Sequence, residues 1–306
     1  MLNARRALMT PVFLAAMTLV AVPAFSQVDL TGVWGARYQE DQPERIPGPP
    51  LVDYLGLPMN DAARQWALSW DPLRLEAPEH QCQVHTAAYI YRGPMQLRIW
   101  EQRDPESQEL VAIKQYINTY EQERTIWMDG RPHPSANAAH TWSGFSTGTW
   151  QDNVLNAFTS HLKENYIRRN GIAASDKRTF TEHWVRHGNY LTVQTVVTDP
   201  ALLAEPLVRS QTWILDPTQQ LGRNICETAN EVPKPAGSVP HHLPGTNLFL
   251  HEVADWYGLP AEATRGGPDT MYPEYRKRMG KPANPPPARC ERYCNCGLDG
   301  GGCNLQ

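Results

Sequence analysis

A chain of 306 residues with 41% apolar residues and a net charge of −4 can bury a core, and its composition is not that of a disordered or fibrous protein. It carries no Lys/Arg block, so nucleic acid is not an expected partner. Ten Trp suit half-buried pleated surfaces or an aromatic-lined pocket, while 27 Pro shorten helices and favour irregular coil.

The amino terminus reads as an export signal. Arg5 and Arg6 are followed by an apolar run over 11–22, and Ala24 and Ser26 put small residues where a signal peptidase reads. Cleavage is expected after Ser26, leaving Gln27 first and a periplasmic or secreted product. The rival reading, an uncleaved anchor, has a run shorter than the roughly 20 residues that span a bilayer. No later segment is apolar enough to span. The expected division is a signal peptide at 1–26, a main domain at 27–230, a Pro-rich coil with a docking helix at 231–288 and a Cys-rich tail at 289–306.

In the main domain, Leu30-Thr31-Gly32-Val33-Trp34-Gly35 reads as the first strand, and its G-x-W character resembles the opening strand of lipocalin-like barrels. A helix is expected after Asn60, a good cap, with Asp61 in its first turn and Asp71-Pro72 ending it. Strand patterning then predicts segments at 87–92, 95–102, 110–119, 123–128, 141–151, 154–162, 179–187, 190–197 and 210–216. Turn residues join them, among them Asp104-Pro105, Asp129-Gly130, Asp152-Asn153 and Gly188-Asn189. Tight connections pair neighbours antiparallel, and a meander of this size protects its edges by closing into a barrel. The fold expected is therefore mainly β, a lipocalin-like barrel with a few short helices. Beyond it, 247–257 reads as one amphipathic helix docking through Leu248, Leu250, Val253 and Trp256.

Six cysteines in an oxidising compartment favour disulfides. Clustering suggests Cys82 with Cys226, and two bridges among Cys290, Cys294, Cys296 and Cys303. The four tail thiolates could instead hold zinc or Cu(I), although paired C-x2-C knuckles are absent.

Thr125-Ile-Trp-Met-Asp-Gly-Arg-Pro-His-Pro134, the G-x-S-x-G-x-W strand from Gly144 to Trp150, and Thr159-Ser-His-Leu-Lys163 together resemble a family of exported, uncharacterised bacterial proteins. The resemblance runs from Gly32 to about Pro217. It implies the fold and carries no activity. Where relatives have W-E-G-D-T-L, this chain has Trp150-Gln-Asp-Asn-Val-Leu155, a less acidic turn.

Candidate chemistry rests on three groups. His80, Cys82 and His85 could offer two imidazoles and a thiolate to copper or zinc, unless Cys82 is oxidised. Around the central hairpins, Asp129, Arg131 and His133 leave one strand, His140 opens the next and His161 follows. Glu182 and Arg186 share one strand face, and His183 and His187 share the other. Gathered at a barrel mouth, His140, His161 and Glu182 with Arg131 could do acid-base work on a bound ligand. Trp127, Trp142, Trp150, Trp184 and Arg186 are the expected ligand-binding residues, with Gly144, Ser146 and Gly148 leaving room beside the indoles of Trp142 and Trp150. Gly144-Phe-Ser146-Thr-Gly148 matches the nucleophile-elbow pattern but lies in a strand instead of a strand-to-helix turn. Arg168 and Arg169 before Gly171 could bind an anion, or simply belong to a solvated loop. The first reading is a binder of a small apolar or aromatic molecule. The alternatives are an enzyme on the same scaffold and a copper or zinc protein. The residues name no cofactor.

Overall fold

Period-2 alternation builds most of this protein. The computed structural model describes residues 28–37, 52, 54, 56–76, 78–91, 96–168, 170–223, 225–228 and 238–283. The signal peptide, the Ser26 cleavage site and the four tail cysteines lie outside the described residues. Among the described residues, eleven strands follow in chain order: β1 (Gly32–Ala36), β2 (Gln96–Arg103), β3 (Leu110–Ile117), β4 (Gln122–Trp127), β5 (Phe145–Gln151), β6 (Val154–Ser160), β7 (Asn165–Arg168), β8 (Ile172–Ala174), β9 (Thr179–His187), β10 (Tyr190–Thr198) and β11 (Leu207–Leu215). Nine of them close a barrel in the order β1-β11-β10-β9-β6-β5-β4-β3-β2, with β2 returning to β1. The closed, mainly β fold expected from the alternation is present, with three departures.

The segment expected as a strand at 87–92 instead forms a short helix at Ala87–Ile90. Two alanines favour the helical turn, and the Tyr89 and Ile90 amides both donate to the Thr86 carbonyl. With the sheet closed, no edge remains for this segment to join. Second, the meander is interrupted. The chain from Met128 to Gly144 crosses the barrel's outside, so β5 lies parallel to β4, with Ile126 opposite Ser146 and Trp127 opposite Thr147. Third, the loop expected around Lys163–Gly171 is a hairpin of β7 and β8 whose described strand residues are all buried. Gly171 turns it at φ +100°, where a Cβ would stand 2.7 Å from the Trp70 Cβ. Both the conformation and the contact require glycine there.

The helices, in chain order, are α1 (Asp61–Ser69), α2 (Pro78–Gln81), α3 (Ala87–Ile90), α4 (Glu252–Tyr257), α5 (Ala261–Arg265) and α6 (Pro273–Met279). Asn60 caps α1 as expected, its Oδ1 accepting from the Ala63 amide at 3.0 Å. The helix expected over 247–257 begins only at Glu252. Asn247 accepts from the Phe249 amide and donates to the Leu68 carbonyl, a local turn that competes with helix at its start. Val253, Ala254 and Tyr257 face inward, whereas Leu248 is 85% and Trp256 53% exposed. Among the described residues no helix is long and apolar enough to cross a membrane.

Cys82 and Cys226, 144 residues apart, form the expected disulfide, joining the end of α2 to the chain beyond β11. Replacing both with serine is expected to lower stability by about 2–4 kcal/mol, through the wider unfolded ensemble the open chain explores. Urea unfolding of the variant against the oxidised protein reads this directly. An unchanged midpoint would contradict it.

Candidate functional site

Alternation assigns the inward side chains strand by strand. From β1 and β2 come Trp34, Leu97 and Ile99; from β3 and β4, Ile113, Gln115, Ile117, Arg124 and Ile126. Strands β9 to β11 add Glu182, Trp184, Leu191, Val193, Thr195, Arg209, Gln211 and Trp213. Cross-strand register sorts them into layers. Glu182 stands opposite Thr195, and Thr195 opposite Arg209; one step along, Trp184 stands opposite Val193, and Val193 opposite Gln211. A polar layer thus lies against a wall of indoles, Trp34, Trp184 and Trp213, all with no exposed surface.

The polar layer centres on an ion pair. Arg124 Nη2 donates to Glu182 Oε2 and to Thr159 Oγ1 (2.8 Å). Its Nη1 donates to Glu182 Oε1 (3.2 Å) and to the Tyr91 hydroxyl (2.8 Å), and its Nε to Ser146 Oγ (3.2 Å). Burial opposes the Arg124 charge, but the Glu182 carboxylate more than offsets it and raises the guanidinium's pKa. Tyr91, just after α3, is wholly inside; burial pushes its hydroxyl well above the ordinary value, so it stays protonated. That hydroxyl donates to Gln115 Oε1 at 2.8 Å. Among the described residues, Gln115 Nε2 and Trp184 Nε1 are buried donors that find no acceptor. A small cleft between Tyr91, the two alanines of α3 and Thr195 and Arg209 on the barrel wall has room for about one water molecule. Arg209 Nη1 donates to the Ala88 and Ile167 carbonyls, which seats α3 and the β7–β8 hairpin on this end of the barrel.

This arrangement corrects the expected gathering at a barrel mouth. Of the four residues expected to act together, Glu182 is inside, bound to Arg124, whereas His140, His161 and Arg131 are outside. Arg131 is held by Asp129, with Nε donating at 2.9 Å, and lies 3.5 Å from the centroid of the Trp127 ring. The expected ligand-binding set is divided in the same way. Trp184 is in the interior wall, while Trp127 is on the outer face and Trp142 lies under the Lys163 ammonium. Trp150 is half-buried against the core, and Arg186 closes the barrel end over Trp34, donating to the Gly188 carbonyl at 2.9 Å. The space expected beside Gly148 is filled, since a Cβ there would meet Met128 Sδ at 2.6 Å and Ile126 Cγ2 at 2.8 Å. Ser146, in the middle of β5, is buried and hydrogen-bonded to Arg124 and Thr159, which leaves no nucleophile elbow. Arg168 is buried and donates to the Tyr54 carbonyl; Arg169 lies outside the described residues.

The histidines form a second cluster, on the outer face. His133 packs against Phe145 and Phe158, and the His140 and His161 rings lie 5.3 Å apart. With neutral rings, one direction of hydrogen bonding is forced. The Ser135 carbonyl only accepts, so His161 Nε2 carries its proton and His161 Nδ1 accepts from Ser160 Oγ (2.7 Å). Ser160 in turn accepts from His133 Nδ1 (2.8 Å), and His133 Nε2 accepts from Thr147 Oγ1 (2.9 Å). The chain of bonds clips the crossing segment to β5 and β6. Burial and the neighbouring His161 hold His133 below the ordinary histidine pKa. The folded state therefore binds fewer protons than the unfolded one as pH falls below about 6.5, and stability drops through that window toward the lowered folded value. His133→Gln is expected to lose less melting temperature than the native chain between neutral pH and pH about 5. Equal losses would contradict this.

For the metal reading, Cys82 is committed to its disulfide, His80 Nδ1 lies 2.9 Å from Gln83 Oε1, and His85 is buried against Tyr89. Among the described residues, no three or more His, Cys, Asp or Glu side chains come together to hold a metal ion. Arg124, Gln115, Tyr91 and Trp213 are interior residues that the sequence alone did not mark, and Trp34, marked only as part of the first strand, joins them. The signal for Arg124 was available, since period 2 puts it on the same face as Ile126. No family model, curated protein or solved structure matches this chain.

Proposed function

We propose that this chain is an exported protein that binds a small aromatic molecule in the barrel interior, against Trp184 and Trp213. The observation that carries the reading is the fully buried indole cluster of a closed barrel, bordered by two of the buried donors that find no acceptor among the described residues, Gln115 Nε2 and Trp184 Nε1. Buried donors are almost always satisfied, and a site lined by indoles that also keeps spare donors suits a flat ligand bearing acceptors. Export agrees with the Cys82–Cys226 bridge, which persists in an oxidising compartment.

The test is to purify the mature protein from a native host's envelope fraction, denature it, and identify released small molecules by mass spectrometry. A near-stoichiometric aromatic compound is expected. Its absence, together with unchanged tryptophan fluorescence across a panel of small arenes, would overturn the reading.

A further inference from the structure

The place a ligand would take is filled by the chain's own phenol. The Tyr91 ring meets Trp184 and Trp213 in T-shaped contacts, with centroids at 5.9 and 5.2 Å and interplanar angles of 88° and 89°. Its hydroxyl has an acceptor in Gln115 Oε1 and a donor in Arg124 Nη1. Two indoles around a phenol ring, with one acceptor and one donor at its oxygen, are the parts of a phenol-binding site.

Tyr91 does not use everything the site offers. Its single oxygen engages Gln115 through Oε1, and Nε2 of the same amide has no partner among the described residues. A second oxygen on the adjacent ring carbon would accept from that Nε2–H. Two neighbouring ring oxygens then match the neighbouring oxygen and nitrogen of a primary amide as a two-point contact. Charge narrows the class further. Glu182 already neutralises Arg124, so Arg124 has no net charge left to offer a carboxylate ligand, whereas a neutral phenol needs none. The segment carrying Tyr91 is also short. Helix α3 has four residues, both Ala87 and Ala88 border the small cleft, and Arg209 holds it through the Ala88 carbonyl.

We infer that Tyr91 stands in for the ligand, and that the ligand is a neutral phenol with a second oxygen ortho to its hydroxyl, which binds as α3 and Tyr91 withdraw. The inference rests on the binding reading above and specifies its ligand.

The test uses 2-methoxyphenol, phenol, anisole and benzoate as probes, titrated calorimetrically into the disulfide-bonded chain and into its Tyr91→Ala and Tyr91→Phe variants. For the native chain, 2-methoxyphenol is expected to bind about tenfold tighter than anisole, one hydrogen bond's worth, with phenol between them and benzoate weakest. Tyr91→Ala removes the competing ring and should bind 2-methoxyphenol about tenfold tighter still, because the competent state no longer has to be opened. Tyr91→Phe keeps the ring and loses its hydroxyl bonds, and should fall between the two. Hydrogen exchange gives a separate readout in the native chain. The amides of Tyr89, Ile90 and Tyr91, bonded to Thr86 and Ala87 carbonyls, should exchange faster when 2-methoxyphenol saturates the protein. Arenes that bind without preferring phenols, or that leave those amides unchanged, would overturn this inference and leave barrel binding standing. No arene binding by the native chain or either variant would overturn both. If Tyr91→Ala does not fold, Tyr91→Phe and the native exchange data decide.

Discussion

Glu182→Ala is expected to lower the stability of this protein by about 3–5 kcal/mol, the usual result of removing one partner of a buried ion pair. Glu182 has no exposed surface and Arg124 is 6% exposed, so the guanidinium left behind could not recover its hydration. Ser146, Thr159 and Tyr91 would still accept its hydrogen bonds, but hydroxyls do not cancel a charge. Glu182→Gln keeps an acceptor in place and should lose less. Replacing both partners with apolar residues of similar volume, Arg124→Met with Glu182→Leu, should recover most of the loss, because neither charge then has to be buried. Urea unfolding of the three variants measures this. A double variant no better than Glu182→Ala would show that the loss comes from packing.

Trp184→Ala is expected to cost a similar amount, about 3–5 kcal/mol. The indole has no exposed surface and stands between Leu155 on β6 and Val193 on β10, with Tyr91 against it. Closed strands on both sides cannot collapse into the void, so the lost transfer energy and an uncollapsed cavity add. Trp127 supplies the contrast. It is on the outer face with Arg131 and Lys114 over its ring, so Trp127→Ala should cost only about 1 kcal/mol, close to the value of an exposed cation–π contact with modest burial. Equal losses at the two positions would refute the assignment of inside and outside.

Those two tryptophans show where the candidate site was legible and where it was not. Trp184 falls in a strand whose inward residues alternate cleanly, Phe180, Glu182 and Trp184, and the sequence marks it as a pocket residue. Trp127 carries the same chemistry in Gln-Glu-Arg-Thr-Ile-Trp, but that strand turns Gln122, Arg124 and Ile126 inward and its indole outward. Strand β11 is inverted too. Arg209 and Gln211 are buried, while Val208 is 61% and Ile214 40% exposed. Hydropathy alone assigns such strands to the wrong face, because the Arg124–Glu182 pair makes a buried arginine tolerable only through a strand far away in sequence.

The amino-acid sequence by itself determined the closed, mainly β fold, because alternating side chains and tight turn residues act over a few positions. It also pointed to the Cys82–Cys226 bridge and the Asn60 cap. The tertiary structure alone decided that β5 enters parallel to β4, that Ala87–Ile90 is a helix at the barrel's end, and that Tyr91 occupies the interior. Each of those depends on which side chains of distant strands share one enclosed layer, and that is set by register and closure, which no local pattern encodes.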